Sequence, residues 1–188
     1  MKQILLHCCC GPCTIYPLQS LRDSGYRVTG FFYNPNIHPF REYVARLSSY
    51  EEMAKLYELP VLPGGEYGLE EFLFALKDVK GDVYEPVSST RCEICYRLRL
   101  ERTAIVCKRD GYEAFSTTLL VSPYQNHDMI RQVGERIAEA YELGFVYSDF
   151  RPGFRRGQKS AVEAGFYMQK YCGCVFSEYD RYGRREDK

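Results

Sequence analysis

The chain has 188 residues, nine cysteines and a formal net charge of zero from 25 basic and 25 acidic side chains. That length suits one domain over residues 1–188 with a core that needs no disulfide staples, and the balanced charge announces no polyanion partner for the molecule as a whole. No run of eighteen apolar residues is present to span a bilayer, and the opening Met1 to Cys10 lacks the apolar stretch and cleavage site of a secretory signal; the expectation is a cytoplasmic protein with no membrane partner.

Taken in chain order, Ile4 to His7 and Val28 to Phe32 are short apolar runs that predict strands. Between them, Pro12 stands near a helix start, Leu18 and Leu21 are at helical spacing, and Gly25 is a stop, so the first thirty residues form a β-α-β unit. The loop Asn34 to Pro39 precedes a helix whose Tyr43, Leu47, Met53, Leu56 and Tyr57 share roughly one face. Val61 and Leu62 start a third strand. Helices are expected over about Leu69 to Lys77, Cys92 to Gly111, Met129 to Leu143 and Ser160 to Lys170, with strands at Ala114 to Thr117 and Phe145 to Tyr147. This alternation predicts a doubly wound α/β fold with a mostly parallel sheet, whose ligand crevice lies outside the carboxyl ends of the strands.

The cysteines fall at that edge. Cys8, Cys9, Cys10 and Cys13 follow the first strand, Cys92 and Cys95 open a helix, and Cys172 and Cys174 lie near the end. A reducing compartment makes such clusters metal ligands or redox groups before it makes them disulfides. Zinc wants four ligands at one tetrahedral site, and the supply here exceeds four; an iron–sulfur cluster with a second metal nearby accommodates it better. The helix N-terminus is expected to ionise Cys10 and Cys13. Cys107 continues a helical stripe with Leu100 and Ala104 and is expected in the core, and Cys8 points away from its neighbours on an extended chain. His7, His38 and His127 are isolated and are expected to be structural.

Asp149, just past the last strand, is placed to ligate a metal or move a proton, or else to cap a turn and pair with Arg151. The stretch Thr117 to Asn126 offers hydroxyls, an amide and Tyr124 at the same edge. Arg151, Arg155, Arg156 and Lys159 interleave with Phe150 and Phe154, and Arg181, Arg184 and Arg185 with Tyr179 and Tyr182. This mixture suits phosphate contacts and base stacking, although a solvated basic surface would look the same.

The segments LHCCCGPCTIYPL, GFFYNPNIHP, RCEICYRLRLERTA, FSTTLLVSPYQ, DFRPGF and YMQKYCGCVFS resemble, in order and from end to end, the QueH-type epoxyqueuosine reductases. The resemblance implies a cobalamin-independent oxidoreductase of queuosine biosynthesis that removes the epoxide oxygen of epoxyqueuosine in tRNA. It further implies a [4Fe-4S] cluster beside an additional mononuclear iron, and a fold related to the nucleotide-binding (HUP or Rossmann-like) domains of tRNA-thiolating enzymes. By motif it carries metal binding onto Cys9, Cys10, Cys13, Cys92, Cys95, Cys172, Cys174 and Asp149. The leaving oxide then needs an acid, Asp149 or a tyrosine such as Tyr124. The partners implied are the anticodon loop of a tRNA carrying epoxyqueuosine, with Arg151, Arg155, Arg156 and Lys159 as contacts, and an electron donor whose identity is not legible. Alternatives are a cluster-bearing tRNA thiolase, whose phosphate loop needs a Gly/Ser-rich turn where this chain has cysteines, and a zinc-stabilised RNA-binding module. A thioredoxin-like enzyme would leave most of the thiols unused.

Overall fold

The computed structural model describes residues 2–77, 79 and 90–183. Five parallel strands, β1 (Gln3–Cys8), β2 (Arg27–Phe32), β3 (Val61–Leu62), β4 (Ala114–Thr117) and β5 (Gly144–Phe145), lie in the order β3-β2-β1-β4-β5. β1 is the centre. It pairs on one side with β2 (Ile4 opposite Val28) and on the other with β4 (Ile4 opposite Ala114), and Ile4, Leu5 and Leu6 are fully buried. A continuous apolar run is what a strand covered on both faces requires.

The helices are α1 (Gly11–Asp23), α2 (Phe40–Leu56), α3 (Leu69–Leu76), α4 (Thr90–Arg109), α5 (His127–Tyr141), α6 (Phe154–Glu163) and α7 (Val175–Glu178). α1 starts with Gly11 and Pro12 in its first turn, where Pro costs no hydrogen bond. α5 is capped by the Asn126 side chain, which accepts from the N–H of Met129 at 3.1 Å. The strand order reverses between β1 and β4, and at that switch point the carboxyl ends of both strands open onto one crevice. The doubly wound parallel fold inferred from the alternation is the fold observed.

Two boundaries and one buried face differ from the sequence reading. The last long helix is α6, Phe154–Glu163, rather than about Ser160 to Lys170. Gly165 adopts φ +73° and its N–H bonds Val162 O at 3.0 Å, a left-handed stop that turns Phe166 into the core. β5 ends at Phe145, short of Tyr147. In α2 the buried face includes Tyr43, Arg46, Tyr50 and Met53, while Leu56 is 61 % exposed in the last turn. α7 was not foreseen. Arg184 and Arg185 lie outside the described residues.

Candidate metal centre

The crevice at the β1/β4 switch point is lined by sulfur. Cys8, the last residue of β1, turns into the core, where its thiol donates to Leu6 O at 3.2 Å. Cys9 and Cys10 then lead the chain into α1, with Cys10 extended at the N-cap, and Cys13 follows within the first turn. The Sγ atoms of Cys9, Cys10 and Cys13 all lie within 4.8 Å of one another, 3.8 Å separating Cys9 from Cys10. Gly11 makes this placement possible, since a Cβ there would stand 2.4 Å from the backbone oxygen of Ser49 in α2.

Neighbouring groups fix the trio. From the end of β4, the Thr118 hydroxyl accepts from Cys9 N–H at 3.0 Å and donates to Cys9 Sγ at 3.3 Å. Gln169 Nε2 donates to Cys13 Sγ at 3.0 Å. Cys9 is held well below the usual thiol range, first by hydrogen bonds from Cys10 and Cys13 and then by Thr118, against the cost of burial. Burial and the adjacent Cys13 and Cys9 push Cys10 up; Cys13 is eased by Cys10 but is pushed up overall by its bond to Cys9 and by burial. Burial and crowding with Cys9 oppose the ionisation of Cys10 and Cys13 that the helix N-terminus favours.

Cys92 and Cys95 open α4, and Cys172 and Cys174 lie before α7. Burial pushes Cys95 up to about 11, with the charges of Cys172 and Cys92 adding to it. Cys172 is lowered to about 5, first by a hydrogen bond from Cys174, then by Ser177 and by the charge of Arg46; Cys174, as the donor in that pair and through burial, is pushed up. This second group is looser than the first: among the described residues only Cys9, Cys10 and Cys13 draw three donor atoms within 4.8 Å.

Two buried guanidiniums stand by both groups. Arg46, 2 % exposed, bonds Glu42 at 2.7 Å and donates to Tyr171 O at 2.8 Å and Cys172 O at 3.2 Å, with Cys10 and Cys9 in its field. Arg99, 4 % exposed, donates to Cys95 O at 3.0 Å and to Cys95 Sγ at 3.2 Å. Arg46, Arg99 and Gln169 were not among the sequence candidates, and Thr118 entered only within the hydroxyl-bearing stretch Thr117 to Asn126. The two arginines occupy buried positions of amphipathic helices, α2 and α4, and an arginine on an apolar stripe was the signal available.

Both thiol groups offer sulfur alone. Soft thiolate sets hold zinc or iron–sulfur centres, and a bound cation lets the remaining thiols ionise, because metal-bound thiols are deprotonated outright. The residues present thus fit either kind of centre.

The other candidates lie further out. Asp149, whose side chain is 41 % exposed, is paired in a two-bond fork with Arg151 at 2.8 and 2.7 Å and accepts from the Arg151 N–H at 3.1 Å. Arg151 and its N–H hold the carboxyl at about 2. Tyr124 is 75 % exposed and meets Phe154 edge-on at 6.2 Å. Arg155 and Arg156 are exposed, Arg156 over the Tyr16 ring at 5.5 Å, and Lys159 faces Glu163 at 3.8 Å. Each histidine is hydrogen-bonded within the fold: His7 is fully buried between Thr117 Oγ1 and Tyr33 O, His38 bonds Tyr67 and His127 bonds Ser122 O. Cys107 is fully buried in the core.

The family profile for epoxyqueuosine reductase QueH matches residues 4–180. This chain belongs to the QueH family. Similar QueH proteins include one from Thermotoga maritima, 41 % identical over 186 residues, covering 96 % of this chain and 93 % of that protein. Another, from Dehalococcoides mccartyi, is 34 % identical over 182 residues and covers 97 % and 96 %. One from Haemophilus influenzae is 32 % identical over 190 residues and covers 99 % and 76 %. Among solved structures, the crystal structure of a predicted subunit of tRNA methyltransferase from Methanocaldococcus jannaschii aligns with a TM-score of 0.55. It is 14 % identical and covers 87 % of this chain and 75 % of that one, a likeness of fold. All three sulfur-bearing segments of the crevice fall inside the QueH match. No helix among the described residues is long and apolar enough to cross a membrane.

Proposed function

We propose that this chain reduces epoxyqueuosine to queuosine in tRNA as a single cytoplasmic metalloenzyme domain over residues 1–188. The observation that carries the reading is the all-sulfur crevice at the β1/β4 switch point of a QueH-family chain. The overall change takes two electrons and two protons, converts the epoxide to the alkene of a cyclopentene and releases its oxygen as water. Cys9, Cys10, Cys13, Cys92, Cys95, Cys172 and Cys174, with Asp149, are the residues that would hold a [4Fe-4S] cluster and an adjacent mononuclear iron. When bound, those metals supply single electrons and a Lewis acid.

The rest falls to the protein. Thr118 and Gln169 orient the sulfurs of Cys9 and Cys13. Asp149, held as an anion by Arg151, is suited to ligate a metal or to anchor a developing positive charge; as a proton donor at neutral pH it is poorly matched. That assigns the proton to another group, and Tyr124 is the candidate on the same edge. Arg155 and Arg156, which have no carboxylate within ion-pair distance among the described residues, are the better tRNA contacts; Arg151 and Lys159 each already face one. Tyr124, Phe154 and Tyr16 beside them offer stacking faces for splayed anticodon-loop bases.

Anaerobically prepared protein should be brown, contain iron with acid-labile sulfide, and convert epoxyqueuosine-tRNA to queuosine-tRNA when given a chemical reductant, read by nucleoside mass analysis. Stoichiometric zinc without sulfide after growth in ample iron would instead favour the zinc-stabilised RNA-binding module, which the same sulfurs suit.

A further inference from the structure

A buried cation needs a buried anion, since an uncompensated charge in a low-dielectric interior is prohibitively costly. Arg46 has one: the Glu42 carboxylate at 2.7 Å, itself shielded from solvent, makes a neutral pair. Among the described residues, Arg99 has no carboxylate within ion-pair distance. The groups that chiefly raise it are Cys95, Tyr96, Cys9 and Cys172, none of them a carboxylate. Its guanidinium lies 5.6 Å from the Tyr96 ring centroid, and the Tyr96 hydroxyl is committed as a donor to Gln125 Oε1 at 2.7 Å, which leaves the phenol neutral. Among the described residues, sulfur is what stands closest to balance the charge. Cys95 Sγ takes a direct N–H at 3.2 Å, and Cys9 belongs to the trio while Cys172 belongs to the second group.

We propose that Arg99 is the built-in counter-charge of the metal centre: its buried guanidinium, bonded to Cys95, stabilises the more negative, reduced form of a bound cluster. The inference rests on the iron–sulfur reading above. Arg99 is a positioning residue that acts through the sulfurs rather than on the substrate. Arginine suits the task better than lysine because its fork holds one sulfur and one carbonyl at once while the charge spreads toward the others.

The test compares wild type, Arg99→Met and Arg99→Lys, each loaded anaerobically with iron and sulfide, by circular dichroism, iron and sulfide content, and a spectroscopic redox titration of the cluster. Arg99→Met, which keeps bulk and removes charge, should lower the reduced-to-oxidised ratio at fixed potential by about tenfold or more, a downward shift of about 59 mV or more for one electron. Arg99→Lys should stay close to wild type in that ratio. A loaded Arg99→Met with the wild-type midpoint overturns the proposal. If Arg99→Met fails to fold while Arg99→Lys folds with the wild-type midpoint, charge is what the site needs and the proposal stands. If both fail to fold, Arg99 is a strut of α4 and the proposal falls. Wild-type protein that takes up no sulfide marks the separate failure of the cluster reading, and the redox role goes with it.

Discussion

Asp149 separates two roles within one side chain. As half of an exposed pair with Arg151 it contributes at most about 1 kcal/mol to stability. Its carboxyl is held at about 2, below the roughly 3.9 of an unfolded aspartate. The pair's contribution is therefore present above about pH 4 and is lost as pH falls toward 2. The difference in urea midpoint between wild type and Asp149→Asn should be small and constant from pH 8 to 5, and should vanish in acid. Turnover is expected to behave differently. Asp149→Asn keeps shape and most hydrogen bonding but loses the anion, and as the loss of a metal-site group we expect epoxyqueuosine-tRNA turnover to fall by about 10–100-fold, with the cluster spectrum retained. Near-wild-type single-turnover rates would remove Asp149 from the chemistry. What was legible at this scale was residue type: sulfurs in three groups and an acid at the sheet edge. Which groups surround each sulfur was not, because Thr118 reaches Cys9 only across the β1/β4 junction.

Among the elements, α1 and α2 meet where the trio is made, and Gly11 is the contact that permits it. In Gly11→Ala the new Cβ would meet Ser49 O at 2.4 Å, backbone rather than a movable side chain, so one helix must shift. Overpacking of this kind costs about 1–3 kcal/mol, and here the displaced residues are Cys10 and Cys13. Both the urea midpoint and the iron bound per chain should fall; a drop in stability with full iron would mean the trio tolerates the shift. The β-α-β unit that carries this junction was readable from its apolar runs and from Pro12 and Gly25. The position of α6 was not, because Arg155, Arg156, Gln158 and Lys159 give its start a polar look and the stop at Gly165 shows itself only as a backbone angle. Arg46 and Arg99 escaped for a related reason: an arginine on a helix reads as solvated until the fold covers it.

For the whole molecule, zero net charge conceals a local surface. Arg155 and Arg156 stand exposed beside Tyr16, Phe154 and Tyr124 on the α6 side of the crevice. Replacing both arginines by alanine should weaken tRNA binding and reduce the slope of log affinity against log salt by about 2, one for each phosphate contact given up, while iron content stays unchanged. An unaltered slope would make that stretch ordinary surface. The fold class was visible in the strand–helix alternation; the looser second sulfur group was visible only as spacing, because Cys172 and Cys174 reach the crevice along a stretch with little regular structure. That stretch is tied down by a few bonds: His38 N–H to Gly173 O at 2.7 Å, Tyr171 hydroxyl to His38 O at 2.6 Å, and the two carbonyl contacts of Arg46. A metal centre drawing on both sulfur groups would be a cross-link between the first strand and the last segment of the chain, closing a loop that spans most of the sequence. Loops of that length carry the largest closure entropy, so the metal and the docking of the C-terminal segment would stabilise one another, and loading would be the final stitch in folding as well as the first step toward activity.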